Sequence, residues 1–264
     1  MAMENSEPAL KRLFYPPLAE IEQQECPIHG PFQSRKFSLG GTEIATRCSA
    51  CFEDDALKEV QEQERKRQMA MNESVMRNAA IPQRFASRTL ENYDAKLPGQ
   101  RAALQAATNY ADNFLDALAT GRSLIFCGTA GTGKTHLAVG IAKRALSFGK
   151  TATFTTAMDA IRSVRETYRK NSEVTERQAI ARFAQADLTI IDEVGSQLGT
   201  DAEKVTLFDL INARYERERP MIVMSNLTLK EVEQYMGTRA FDRLRENGGQ
   251  AVTFTWDSYR KVQP

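Results

Sequence analysis

The chain reads as an α/β fold: a largely parallel sheet covered on both faces by helices, preceded by a small cysteine-bearing segment and a connector helix. Three observations predict it. Short apolar runs alternate with helical stretches from residue 100 onward, the pattern of strand–helix crossovers. A glycine-rich turn joins one such run to a helix, as phosphate loops do. Three of the four cysteines and one of the two histidines crowd into the first fifty-odd positions, which marks a separate small module.

Length and composition bound the classes. The chain has 264 residues, enough for one core domain plus an appendage. Lys+Arg is 35 and Asp+Glu is 34, a net charge of +1. That balance excludes a strongly basic nucleic-acid coat and an acidic disordered chain. Hydrophobic residues make up 42%, which supplies a core. No apolar run reaches the length of a membrane span, so no membrane partner is expected. The opening residues, MAMENSEPALKRLFYPPLAE, lack the apolar stretch of a secretory signal. Four unevenly placed cysteines do not make a disulfide scaffold. The expectation is a soluble protein in a reducing, cytoplasmic setting.

The elements follow in order, with expected parts at 1–51, 52–80 and 81–264. Cys26-x-x-His29 and Cys48-x-x-Cys51 form two knuckles around Gly40-Gly41. The spacing lets each pair reach one tetrahedral ion, so a Cys₃His zinc ribbon or treble clef is expected. Phe52–Arg77 is polar, rich in helix formers and free of Gly and Pro. It reads as an exposed connector helix with an acidic start. Residues 100–119 read as one amphipathic helix. Strands are expected at Ser123–Cys127, Thr151–Thr155, Leu188–Ile191, Met221–Met224 and Ala251–Thr255. Helices are expected at 134–148, 157–170, 175–186, 203–216, 229–235 and 238–246.

Chemistry gathers at strand ends. Gly128-Thr129-Ala130-Gly131-Thr132-Gly133-Lys134-Thr135 fits G-x-x-x-x-G-K-[ST] between a strand and a helix. Glycines let successive backbone N–H groups face phosphates, and the helix N-terminus adds positive potential. Lys134 is expected to reach the β- and γ-phosphates of ATP, and Thr135 to bind Mg²⁺. The strand Leu188–Ile191 delivers Asp192 and Glu193. Asp192 is the second Mg²⁺ group, and Glu193 the residue that polarises the attacking water. After Met224, Ser225-Asn226 offers an amide for that water. Cys127 reads as a small buried hydrophobe and His136 as a packing or surface residue.

These residues resemble an AAA+ ATPase, and more narrowly a helicase loader of the DnaC family (the DnaC/DnaI/IstB group). The resemblance spans residues 81–260 and rests on Ile81-Pro82-Gln83-Arg84-Phe85, GTAGTGKTHLA, IIDEVG, TRAFDRLREN and TWDSYR. The first three motifs are shared with IstB-type transposition helpers; Trp256-Asp257-Ser258-Tyr259-Arg260 points to the DnaC branch. The resemblance implies that Asn226 is the sensor I residue and Arg260 the sensor II arginine. It implies that Arg243 acts on a neighbouring subunit's ATP, with Arg239 one helical turn before it. It further implies self-assembly into an ATP-bound spiral, contact with single-stranded DNA, and a hexameric replicative helicase of the DnaB type as partner. Ala157–Arg169 resembles the channel-lining helical insertion. There Tyr168, between Arg165 and Arg169, suits base stacking, and Thr200 is a second DNA-contact candidate. The zinc module departs from the best-known enterobacterial loader; related modules in Gram-positive loaders imply helicase binding. The alternative implied is an ATPase helper of a DNA transposase.

Overall fold

The computed structural model describes residues 20–39, 42–196 and 199–259, with backbone alone at 37–39 and 67–78. Two compact units divide it, Met1–Asn72 and Glu73–Pro264.

The N-terminal unit holds an antiparallel three-stranded sheet: β1 (Glu20–Cys26), β2 (Gly30–Leu39) and β3 (Thr42–Ala45). The register pairs Cys26 with Gly30, so the first hairpin turns within Pro27, Ile28 and His29. Gly30 takes a left-handed φ of 77° to close it. None of these strands shows in the apolar pattern, because EIEQQEC carries little to bury. The connector helix, α1 (Ser49–Asn78), starts three residues earlier than expected and takes Cys51 into its first turn. Its first turn therefore holds no acid.

In the second unit a 3-10 turn at Gln83–Phe85 leads to α2 (Pro98–Asp112) and α3 (Phe114–Thr120). The single helix expected over 100–119 is broken at Asn113, whose φ and ψ are −103° and 30°. Its side-chain amide donates to the Asn109 carbonyl at 2.8 Å alongside its own backbone N–H at 3.2 Å, the kind of local side-chain bond that makes Asn a poor helix-interior residue. The break lets Tyr110, Ala111, Phe114 and Ala117 all turn inward.

Then β4 (Leu124–Gly128), α4 (Lys134–Ser147), β5 (Ala152–Thr156), α5 (Ala157–Arg165), α6 (Glu176–Phe183), β6 (Leu188–Asp192), α7 (Asp201–Tyr215), β7 (Met221–Ser225), α8 (Leu229–Met236), α9 (Thr238–Arg245) and β8 (Gln250–Phe254) follow. The helix expected over 157–170 stops at Arg165 and gives way to a single 3-10 turn, Glu166–Tyr168. All five strands are parallel, in the order β5-β6-β7-β4-β8.

Alternation along β4 splits the core. Leu124 and Phe126 face one layer with Leu137, Ile141 and Trp256. Ile125 and Cys127 face the other with Ile161, Ile211 and Leu244. Such two-sided burial is what a parallel sheet requires. Thr156, Thr175, Thr200 and Thr228 each accept an N–H at the start of a helix. The last three close capping boxes with Gln178, Glu203 and Glu231. Arg214 is wholly buried and donates to the carbonyls of Phe183, Ala186, Asp187 and Pro220. Loss of water pushes its pKa down to about 9. Among the described residues no helix is long and apolar enough to cross a membrane.

Candidate functional site

The strand order decides what meets what. β7 lies between β6 and β4, so three adjacent strands deliver Asp192-Glu193, Asn226 and the glycine-rich loop to one end of the sheet. The C-terminal strand ends of an open α/β sheet are where ligands bind. Asn226 follows directly on β7 and is exposed.

The loop is anchored from below. The Gly128 N–H donates to the Leu227 carbonyl at 2.9 Å and the Thr129 N–H to the Phe254 carbonyl at 3.0 Å. The Thr132 hydroxyl closes the loop on the Thr129 carbonyl at 2.7 Å. Gly133 has φ 98°, and a Cβ there would sit 2.6 Å from the Tyr93 ring. Thr129 and Ala130 form the exposed tip, with Gly131 half-buried beside them. Lys134 lies back on its own loop, donating to the carbonyls of Gly128 and Thr129 at 2.7 and 2.8 Å.

Thr135 Oγ1 donates to Asp192 Oδ2 at 3.2 Å. The two expected Mg²⁺ groups are therefore neighbours, 57 residues apart in sequence. Burial pushes the Asp192 carboxyl above its ordinary pKa, against the Glu193 N–H and Thr135 hydroxyl that favour the anion. A half-buried carboxylate next to a hydroxyl is a hard oxygen donor set, and it fits Mg²⁺. Glu193 stands at φ 62°, a left-handed conformation that costs a non-glycine residue about 1–2 kcal/mol. Its N–H donates to Asp192 Oδ1 at 2.7 Å, which helps to hold the turn.

The profile of the IstB-like ATP binding protein family matches residues 42–263. The chain belongs to that family. Several of its relatives are named replicative helicase loader DnaC. The one from Buchnera aphidicola (subspecies Schizaphis graminum) is 33% identical over 187 residues, 71% of this chain and 75% of the relative. The one from Escherichia coli is 36% identical over 172 residues, 65% of this chain and 69% of the relative. A crystal structure of the DnaC helicase loader shares the fold at a TM-score of 0.58 and 21% identity, covering 66% of this chain and 99% of the other. The AAA+ α/β fold expected from the motifs is thus the fold observed.

For a member of the IstB-like family, the surroundings of the phosphate loop hold residues that the motif alone does not reveal. Tyr93 Oη and Trp256 Nε1 both donate to the Thr132 carbonyl, at 3.2 and 3.0 Å. The Tyr259 N–H donates to the Gly131 carbonyl at 3.0 Å. The WDSY segment therefore buttresses the loop from 124 residues away. His136 is half-buried with Nε2 2.8 Å from both the Thr89 carbonyl and Asn92 Oδ1, and burial lowers its pKa. Cys127 is wholly buried, and burial pushes its thiol pKa up.

The candidate trans-acting arginines differ in setting. Arg239 is exposed on α9. Arg243 is half-buried, its guanidinium 4.7 Å from the Phe208 ring centroid and 5.3 Å from that of Tyr215. Its Nη1 is buried without a hydrogen-bond partner. Arg260 lies outside the described residues. Tyr168 is 62% exposed, and its hydroxyl donates to Glu176 at 2.6 Å. Thr200 Oγ1 accepts from the Glu203 N–H and caps α7, a structural task distinct from the DNA contact expected of it.

In the N-terminal unit, Cys26, His29, Cys48 and Cys51 converge, with all four ligand atoms within 4.8 Å of one another. The Cys26 and Cys51 sulfurs are 3.4 Å apart, and His29 Nδ1 lies 3.3 to 3.8 Å from the three sulfurs. Zn–S bonds of about 2.3 Å in a tetrahedron give S···S edges of about 3.8 Å, so the set fits zinc. The N–H groups of Ile28 and His29 pull the Cys26 thiol down to about 6. The neighbouring Cys26 sulfur pushes Cys51 up to about 11. Three sulfurs and an imidazole nitrogen gathered in one place are the ligand set of a tetrahedral zinc ion.

Proposed function

We propose that this protein is an ATP-driven loader of a hexameric replicative helicase onto single-stranded DNA. The observation that carries the reading is the meeting of Lys134, Thr135 and Asp192 at one sheet end, in a chain whose relatives are named helicase loaders.

ATP would bind across the Gly128–Thr135 loop, with backbone N–H groups and the α4 N-terminus facing the phosphates. Lys134 would exchange the carbonyls of Gly128 and Thr129 for phosphate oxygens. Thr135 and Asp192 would hold Mg²⁺, which supplies charge neutralisation between phosphates. Glu193 would take the proton of the attacking water, and Asn226 would orient that water. Arg243 would supply positive charge to a phosphate bound in a neighbouring copy, and Arg260 to one bound in its own. Hydrolysis is then tied to assembly into a spiral.

Zinc bound by Cys26, His29, Cys48 and Cys51 would hold the N-terminal unit folded, since so small a module buries little apolar surface. That unit would dock on the helicase, and Tyr168 on the second unit would stack on single-stranded DNA. A cytoplasmic setting belongs to the same reading.

The test is co-purification of the full chain with the replicative helicase of the same genome, with and without ATP. Retention of the helicase, released on hydrolysis and held by Glu193→Gln, supports the loader. Retention of a transposase on duplex DNA, with no helicase, replaces it by the transposition-helper reading that the family profile also admits.

A further inference from the structure

We propose that Asp54 is a positioning residue of the metal centre: its carboxylate fixes His29 so that Nδ1, not Nε2, is offered to the metal. The inference rests on the zinc reading of Cys26, His29, Cys48 and Cys51.

The two ring nitrogens of His29 face different chemistry. Nδ1 points into the sulfur cluster, 3.3 Å from Cys51 Sγ and 3.8 Å from the sulfurs of Cys26 and Cys48. Nε2 lies 3.2 Å from Asp54 Oδ2 on the opposite edge of the ring. A neutral imidazole carries one proton. Placed on Nε2, that proton is donated to the carboxylate and the Nδ1 lone pair is left for the metal. Placed on Nδ1, it would aim at three sulfurs and leave Nε2 facing a carboxylate, lone pair against lone pair. The carboxylate therefore selects the tautomer and the ring orientation.

The local sequence explains why this residue does it. Asp54 stands one helical turn after Cys51 on α1, and side chains at that spacing share a face. The helix that supplies the last thiolate thus supplies the carboxylate that orients the histidine. The next acid, Asp55, points elsewhere, 3.8 Å from Arg47. The early helix start at Ser49 is what brings Asp54 into register.

A carboxylate behind a ligating histidine also raises the ring's basicity, and removing such a group weakens metal binding by about 10–100-fold. The experiment measures zinc affinity of the full chain by competition with a chromophoric chelator, for the wild type, Asp54→Ala, His29→Cys and the double variant. Asp54→Ala is expected to lose about 10–100-fold in affinity, with zinc still bound at one per chain under excess metal. In the His29→Cys background, where no imidazole remains to orient, adding Asp54→Ala should change affinity by no more than about twofold, a coupling that marks action through the ring. An equal loss in both backgrounds would mean that Asp54 acts only on the helix, and would overturn the proposal. Wild-type zinc affinity in Asp54→Ala would overturn it too. Failure of the wild type itself to take up zinc is a separate result, which removes the metal centre and this inference with it.

Discussion

The Thr132 carbonyl offers a sharp test of how the phosphate loop is held. Thr132 is wholly buried, and its carbonyl accepts from Tyr93 Oη at 3.2 Å and Trp256 Nε1 at 3.0 Å. Tyr93→Phe removes one donor and leaves the ring, which is 6% exposed, in place. A net hydrogen bond is worth about 1 kcal/mol, and the carbonyl keeps its second partner, so a loss of about 1 kcal/mol is expected. Trp256→Phe removes the other donor and half of a buried ring system packed on Phe254 at 5.0 Å. Its expected cost is about 2–3 kcal/mol, one part hydrogen bond and the rest lost packing. The double variant is different in kind. It leaves a buried carbonyl with neither donor, and an orphaned buried acceptor costs about 1–3 kcal/mol beyond the bonds themselves. The double variant should therefore lose more than the two singles together, by at least about 1 kcal/mol. Denaturant unfolding of the full chain, followed by circular dichroism, measures all four proteins. Independent sites add to within about 0.5 kcal/mol. Additivity at that level would refute joint support of the carbonyl.

Asp192→Asn should make the nucleotide-free protein more stable at neutral pH. Burial raises the Asp192 pKa in the fold, so the ionised carboxylate subtracts stability above that value and the cost fades as pH falls through it. Thermal unfolding should show the variant's advantage at neutral pH shrinking on acidification, while added Mg²⁺–ATP stabilises the wild type alone; a variant less stable at neutral pH without nucleotide contradicts the reasoning. Arg243→Ala should destabilise the isolated chain by about 1–2 kcal/mol through lost stacking on Phe208 and Tyr215, whereas the exposed Arg239→Ala should leave the melting temperature unchanged. Equal melting temperatures would show that the aromatic contacts contribute nothing. Tyr168→Ala should weaken single-stranded DNA binding by about 1–3 kcal/mol without loss of stability, since the ring is already exposed. Fluorescence anisotropy with a labelled oligonucleotide checks this, and unchanged affinity removes Tyr168 from the interface.

What the sequence determined by itself was the chemistry carried by short spans. The phosphate loop is legible because eight consecutive residues close their own geometry between an apolar strand and a helix. The five strands of the second unit appear at their expected places within a residue or so: β4, β6 and β7 are apolar runs buried on both faces, and the edge strands β5 and β8, though partly exposed, keep enough apolar and β-branched residues to be read. The cysteine and histidine knuckles were visible because a ligand pair at that spacing is local. Three threonine capping boxes were equally local, and the T-x-x-E/Q pattern was there to be read. Tertiary structure alone decided the rest. The order β5-β6-β7-β4-β8 sets Asn226 between the acids and the loop, and no strand's own residues state its neighbours. The polar strands β1 and β3 exist through backbone pairing with β2, which leaves little hydrophobic period to detect. The partners of the Thr132 carbonyl come from 39 and 124 residues away, and Arg243 is given its setting by aromatics of another helix. Such contacts depend on which faces the folded chain brings together, and a pattern of a few residues carries no record of that choice.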